Sequence, residues 1–309
     1  MRKVLMLFFV ALAAFTLFGC NSSEYKVDGE FMAYEVSVHK DAQMVTTVTV
    51  TIEDGEIAGY YIDARQGERT INEETGKYEW AWNAKTKKEL GDDYNMVEFG
   101  GAISEWYVQA ELIEAYWLEN GVDSVTVDAD NVIDNVTGVT IKDGGYIALA
   151  QEALELAKAG KFQAVYCSGT DLYIAEMTVS KGKIETLVLD TLQSTKNAAT
   201  GSFEWNPSTK QELGDAYGMK GTGPGYKFEN GAWVSTGTTA THEWFEQANT
   251  ITDWIIANGY DSALKSVGGR GVSLNGTSLV DGTSAVTINT DGYFTVLKSL
   301  FDFAGTSVE

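Results

Sequence analysis

Thr140 and Thr287 each close a copy of the same heptad. Asp134 to Thr140 reads DNVTGVT and Asp281 to Thr287 reads DGTSAVT: an acid, two variable positions, a hydroxyl residue, a small residue, Val, then Thr. Such a segment offers an accessible hydroxyl on a backbone of small residues. Asp143 and Thr290 follow closely, where helix caps are expected. A helix N-terminus presents free N–H groups and the positive end of the peptide dipole, so the hydroxyl would stand beside a natural phosphate site. Lys142 adds a positive charge in the first copy, and Asn289 takes that place in the second. An Asx or Ser/Thr turn that merely starts a helix needs the same residue types, so both readings stand at this point.

Other chemistries fit less well. A nucleophilic enzyme needs a base beside the hydroxyl, and no His, Lys or Cys recurs near both copies in an evident role. His39 and His242 are the only histidines, which argues against a haem or His-rich zinc site. No Gly-rich run followed by Lys marks a nucleotide phosphate loop. DADNVIDN, Asp128 to Asn135, echoes a calcium loop but has no second copy.

The copies belong to a longer repeat. DGEIAGYYID (Asp54 to Asp63) answers KGKIETLVLD (Lys181 to Asp190). WNAKTKKELGDDYNM (Trp82 to Met96) answers WNPSTKQELGDAYGM (Trp205 to Met219), and NGVDS (Asn120 to Ser124) answers NGYDS (Asn258 to Ser262). The order is preserved, and the length differences fall between blocks.

Each unit should open as a β-meander. Thr47, Thr49 and Thr51 alternate with Val48, Val50 and Ile52, and Tyr173, Ala175, Met177 and Val179 share one parity. Asp54–Gly55 and Lys181–Gly182 suit tight hairpin turns into strands Ile57 to Ile62 and Ile184 to Leu189. Ile103, Trp106, Tyr107, Ala110, Ile113 and Trp117 predict one helix face. Trp244, Phe245, Ala248, Ile251 and Ile255 predict its counterpart, and Gly121 and Gly259 are expected as left-handed caps. A further helix should follow each heptad: Gly144 to Lys158 capped by Asp143, and a second capped by Thr290 and ending near Phe303. The expected class is α+β, with two tandem repeats of mostly antiparallel sheet packed with helices.

Composition supports folded units of ordinary size: 309 residues, 44% hydrophobic, with two Pro and 32 Gly favouring Gly-based turns over a Pro-rich linker. The net charge of −22 argues against nucleic acid as a partner. Arg2 and Lys3 precede an apolar run from Val4 to Phe18, then LFGC (Leu17 to Cys20). This outline is a signal peptide, and LFGC resembles the lipobox of bacterial lipoproteins. The resemblance implies cleavage before Cys20, diacylation of its thiol and anchoring in a lipid bilayer at the extracytoplasmic face. Residues 1–19 would be the leader, 20–29 the lipidated Cys and polar tether, 30–159 the first unit and 160–309 the second. Cys167 is then left without a disulfide partner and reads as a buried, inert thiol.

The heptads resemble the flavinylation motif of FMN-binding domains, Asp-x-x-Ser/Thr-Gly/Ala-x-Ser/Thr. The whole arrangement resembles the tandem-domain lipoproteins of Gram-positive flavin-based extracellular electron transfer, which carry a lipobox and two units with similar ELGD blocks. The resemblance implies that a flavin transferase joins FMN through its phosphate to Thr140 and to Thr287. Asp134 and Asp281 match the leading acid, Thr137 and Ser284 the hydroxyl position, Gly138 and Ala285 the small residue. Ala285 departs from the commoner Gly, and Val139 and Val286 stand where Ala is frequent.

The repeated blocks add Trp82, Tyr94 and Met96, and Trp205, Tyr217 and Met219, as flavin contacts, with a purely structural loop as the alternative. The function implied is electron relay from a membrane quinone or flavoprotein to extracellular acceptors, a carrier more than an enzyme with its own substrate. No catalytic residue and no metal is required. A non-redox solute-binding or adhesin-type lipoprotein is the competing class, and a flavin reductase with a defined small acceptor is a third.

Overall fold

The computed structural model describes residues 24–308. The leader and Cys20 lie outside the described residues. The chain is mixed α+β with antiparallel sheets.

Strands β1 (Gly29–His39), β2 (Ala42–Glu53) and β3 (Glu56–Asn72) form a meander, and β4 (Lys77–Trp82) pairs with the far end of β3. The turn into β3 is the expected one: Asp54 and Gly55 have φ of 53° and 75°. The Asp28 carboxylate accepts from both of their amides, at 3.0 and 2.9 Å. A short helix α1 (Lys87–Leu90) and a 3-10 turn Gly91–Tyr94 lead to α2 (Trp106–Asn120) and α3 (Tyr146–Ala159).

The same order follows. Strands β5 (Lys161–Ser168), β6 (Asp171–Ser180) and β7 (Lys183–Leu192) form a second meander, and β8 (Ser194–Asn197) pairs with β9 (Ser202–Trp205). Lys181 and Gly182 turn with φ of 51° and 75°. Helix α4 (Lys210–Leu213) and the 3-10 turn Gly214–Tyr217 come next. A hairpin without counterpart in the first half, β10 (Pro224–Glu229) and β11 (Ala232–Thr239), is inserted before α5 (Trp244–Asn258). The short pair β12 (Lys265–Val267) and β13 (Arg270–Ser273) precedes α6 (Asp291–Ala304).

Alternation in β2 buries Val48, Val50 and Ile52 against α3, while Ala175, Met177 and Val179 of β6 lie under α6. Helices α2 and α5 pack on β3 and β7. The halves share one core. Phe31 and Phe162 are fully buried and stacked at 4.3 Å, where β1 lies beside β5. Gly29 permits this: a Cβ there would lie 2.7 Å from the Phe162 ring.

Several expectations need correction. Ile103 precedes α2 and is 66% exposed, because Glu105 takes the N-cap. Gly121 and Gly259 do end α2 and α5, but with ψ of 154° and 157° they turn the chain into extended backbone, not a left-handed cap. Helix α3 starts at Tyr146 behind Gly145, although the Asp143 carboxylate still accepts from Ile147 N at 3.2 Å. Thr290 does occupy the N-cap of α6, yet its hydroxyl donates to Gly271 O and not to the helix.

Phe162→Ala should cost about 3–5 kcal/mol, the range for an emptied aromatic site in a core. Urea denaturation checks it, and both halves should still unfold in one transition because the rest of the shared core still joins them.

Candidate functional site

Both heptad threonines end on a buried glutamine. Thr140 N and Oγ1 donate to Gln109 Oε1 at 2.7 and 3.3 Å. Thr287 N and Oγ1 donate to Gln247 Oε1 at 2.7 and 3.1 Å, and Ile288 N adds a third bond at 3.1 Å. Gln109 lies on α2 and Gln247 on α5, both wholly buried. Each amide nitrogen is occupied in turn: Gln109 Nε2 donates to Ser104 O, and Gln247 Nε2 to His242 O. The oxygen must therefore face the threonine, since only an acceptor can satisfy a backbone N–H. The residues before the threonines, Val139 and Val286, are buried plugs that pin the segment to the core.

The heptads are turns, but they do not start helices. Val139 N bonds Val136 O at 3.1 Å and Val286 N bonds Thr283 O at 2.9 Å. Gly138 holds φ at 86°, whereas Ala285 keeps an ordinary negative φ, so the Gly-to-Ala departure is absorbed by a different turn. Asp134 accepts from Thr126 Oγ1 at 2.5 Å, and Thr283 donates to Val280 O. Thr137, Ser284 and Asp281 are exposed. Helix α3 begins six residues beyond Thr140, and α6 opens on the carboxylate of Asp291. Neither helix end supplies the expected anion site.

A lysine stands in each half instead, buried in the first and partly buried in the second. Thr86 and Thr209 cap α1 and α4 through capping boxes with Glu89 and Glu212. The first residues of these helices, Lys87 and Lys210, point at aromatic faces. Lys87 Nζ lies 5.4 Å from the Tyr94 ring centre and 5.0 Å from that of Trp106. Lys210 Nζ lies 5.2 Å from Tyr217 and 5.4 Å from Trp244. Lys87 is only 8% exposed, and burial lowers its pKa from 10.5 to about 8, with Asp63 opposing the shift. Lys210 shifts the same way for the same cause. A third aromatic completes each set: Tyr146 meets Trp106, and Tyr293 meets Trp244.

The methionine loops are held by the α2 and α5 caps. Glu105 accepts from Met96 N and Val97 N at 2.8 and 2.9 Å. Glu243 accepts from Met219 N and Lys220 N, both at 2.9 Å.

In the second half these groups surround two adjoining cavities. An aromatic one of about 280 Å³ is lined by Lys210, Tyr217, Met219, Trp244, Arg270 and Tyr293 among others. A hydroxyl-rich one of about 160 Å³ holds Thr287 with Thr236, Thr238 and His242. Tyr226 of the inserted hairpin borders both. Arg270 stacks on Tyr226 at 4.2 Å and donates to Thr287 O at 2.5 Å. It bridges Asn289 in the same way that Val132 bridges Lys142. The cation of the first half thus reappears in the second on the neighbouring strand.

No protein-family model matches the chain, and no curated protein matches it. A solved structure does: a structural-genomics target from Clostridium thermocellum determined by NMR in solution. It is 30% identical over 41% of this chain and 89% of that one, with a TM-score of 0.27. The match assigns neither family nor activity.

Of the expected contacts, Tyr217 and Met219 line the cavity beside Thr287, and Tyr94 and Met96 pack at the matching place near Trp106. Trp82 and Trp205 do not. They meet each other at 6.2 Å between the halves, where Trp205 Nε1 donates to Ser37 O, because β4 and β9 carry them to that junction. Cys167 borders a separate cleft of about 530 Å³, formed by Thr47, Thr49, Arg65, Val165 and neighbours, and burial pushes its thiol up to about 12. The sequence patterns above do not point to Gln109, Gln247, Lys87, Lys210, Glu105, Glu243 or Arg270. The first six had a signal, since TKKEL and EWYVQA answer TKQEL and EWFEQA.

Gln247→Leu should cost ~2–3 kcal/mol, since it strands the N–H groups of Thr287 and the buried Ile288. Gln109→Leu should cost less, since it strands the amide of exposed Thr140. Denaturant midpoints compare the two. Lys87→Met should stabilise the protein without ligand at pH 7 by ~2 kcal/mol, as it removes a charge that folding desolvates. The sign follows from the lowered pKa: the folded state binds fewer protons between about pH 8 and 10.5. Wild-type stability should therefore rise with pH across that window, and the variant should lack the rise.

Proposed function

We propose that this chain is an extracytoplasmic electron carrier bearing two FMN groups, joined through their phosphates to Thr140 and Thr287. The observation that carries the reading is the repetition of one arrangement: a heptad threonine fixed by a buried glutamine, and a capped-turn lysine set on a Tyr–Trp pair in the same half. Residues 30–159 and 160–309 are read as the two FMN domains.

The residues suit the group. The hydroxyl-rich cavity at Thr287 would take the polar phosphate and ribityl end, with Arg270, which lines the adjoining cavity and holds Thr287 O, as the neighbouring cation. The adjoining aromatic cavity would take the ring between Tyr217, Met219 and Trp244. Lys142 and the Tyr94, Trp106 and Tyr146 set would serve Thr140. When bound, FMN supplies the electron-accepting and electron-donating chemistry.

The chain's own part is positional. Gln109 and Gln247 hold the threonine hydroxyl by its proton, which leaves the oxygen lone pairs free toward an incoming phosphoryl group. A flavin transferase would make the ester from a flavin dinucleotide: the hydroxyl oxygen bonds the flavin-side phosphorus, the pyrophosphate bond breaks, and the nucleoside monophosphate and the hydroxyl proton leave. A covalent link keeps the cofactor on a protein exposed to the exterior. The partners on this reading are a membrane quinone or flavoprotein donor, an extracellular acceptor such as ferric iron, and the bilayer through acylated Cys20.

The cleft near Cys167 favours a second reading, a non-redox solute-binding lipoprotein, because it is larger than the cavities at Thr287 and contains no heptad residue.

Intact-protein mass spectrometry after co-production with an exported flavin transferase separates the two. Two added FMN units are expected, with one lost in Thr140→Ala, one in Thr287→Ala and both in the double variant. An unmodified mass beside a modified control protein would leave the solute-binding reading in the lead.

A further inference from the structure

Lys87 and Lys210 are unexplained by the fold. A buried ammonium is costly unless it is paired or hydrogen-bonded. Among the described residues no ion pair or hydrogen bond reaches either Nζ; only aromatic faces do. Lys88, next in the chain, has a partner in Glu114 at 2.5 Å, so carboxylates are available to this helix. Lys87 and Lys210 recur at the same position of the same capped turn and sit beside the same kind of Tyr–Trp pair. Lys210 also lines the cavity next to Thr287. A cation kept without an ion-pair partner against aromatic faces, and in the second half lining a cavity, suits a planar ligand with an electron-rich edge.

We infer that Lys87 and Lys210 are potential-setting residues, whose ammonium groups face the electron-rich edge of the flavin ring and favour its reduced form. The inference rests on the FMN reading above. Two electrons delivered with one proton leave a single negative charge on the ring, and the adjacent ammonium offsets it without a further proton. In a cavity of low dielectric that attraction is much stronger than in water. Around Lys87 the other ionisable groups are Asp63 on β3, His39 on β1, Tyr94, and Tyr146 on α3. Around Lys210 they are Asp171 and Asp190 on β6 and β7, Tyr173, Tyr217, Tyr293 and Arg270. None of the three aspartates lies within ion-pair distance, so both lysines keep their charge available to the ligand.

The test uses the full mature protein carrying FMN, with the mass of every sample measured first. In Lys87→Met and Lys210→Met, dithionite titration should show the flavin of that half lowered in midpoint potential by ~30–60 mV, a ten- to hundredfold loss of preference for the reduced form. Lys→Arg at the same positions should retain most of the wild-type value. Unchanged midpoints in proteins that carry both FMN groups overturn the inference and leave the FMN reading intact. A wild-type mass without FMN removes both.

Should the Met variants fail to fold, the wild-type protein decides. NMR titration of the lysine side chains should show the pKa of each rise when the flavins are reduced with dithionite, by the reciprocity of linkage. The same pKa in both redox states overturns the inference.

Discussion

The site depends on one constraint: an exposed hydroxyl on irregular backbone must be held still by something rigid. Loops cannot do this alone, since their backbone groups exchange between water and weak local bonds. Here the holding atom is the carbonyl oxygen of a glutamine inside a helix of about four turns. The helix fixes the glutamine backbone, burial removes its rotamer freedom, and its own NH₂ is already used. The carbonyl is thereby pre-oriented, and it accepts from the backbone and the hydroxyl of the same threonine. A buried valine next door stops the segment from lifting. Much of the helix packing serves this placement, because a shift of α2 or α5 along β3 or β7 would carry the glutamine away.

The two halves solve the same problem with different surroundings. The second adds β10 and β11, which bring Tyr226 and a row of threonines over Thr287. In the first, the corresponding segment is short and leaves Val97, Phe99 and Ile103 exposed. The cation near the heptad also moves, from Lys142 to Arg270 across a β-bridge. A cofactor in the second site would be more enclosed and closer to a bidentate cation than one in the first. Desolvation and nearby charge both alter the balance between charge states. Two equal cofactors would thus acquire unequal potentials, which is what a relay needs and a duplicate does not.

The meanders, their turns and the class were legible because they rest on local rules. Alternation at Val48, Val50 and Ile52 and the Asp54–Gly55 turn leave few alternatives. The helix after each heptad was legible for the same reason, and so was Thr290 at the cap of the second; Gly145 at the cap of the first was not. Asp143 and Thr290 are good capping types, but tertiary contacts took the Thr290 hydroxyl for Gly271. Trp82 and Trp205 mislead because repetition marks a shared constraint without saying which one. Their constraint is the contact between the halves, and no property of a single unit encodes it. Lys87 was missed because lysine in a polar run reads as solvated surface. Only the fold shows that the first turn of α1 is pressed against Trp106.

That misreading bears on what the lysines cost. A sequence tuned only for stability would place Met or Leu at Lys87, where the surroundings are aromatic and dry. Retaining an ammonium there runs against folding energetics, and the partly buried Lys210 carries a cost of the same sign. Such a cost is common at binding sites, where the unfavourable group is matched by a ligand that the bare fold lacks. The aromatic faces offset part of the cost through cation–π attraction, which keeps the lysine ordered and charged until its partner arrives. The same rings that steady the cation would form the walls for a planar ring system. The lysine and the aromatics then form one device, and its two parts have a common purpose only when a flat, electron-rich molecule lies between them.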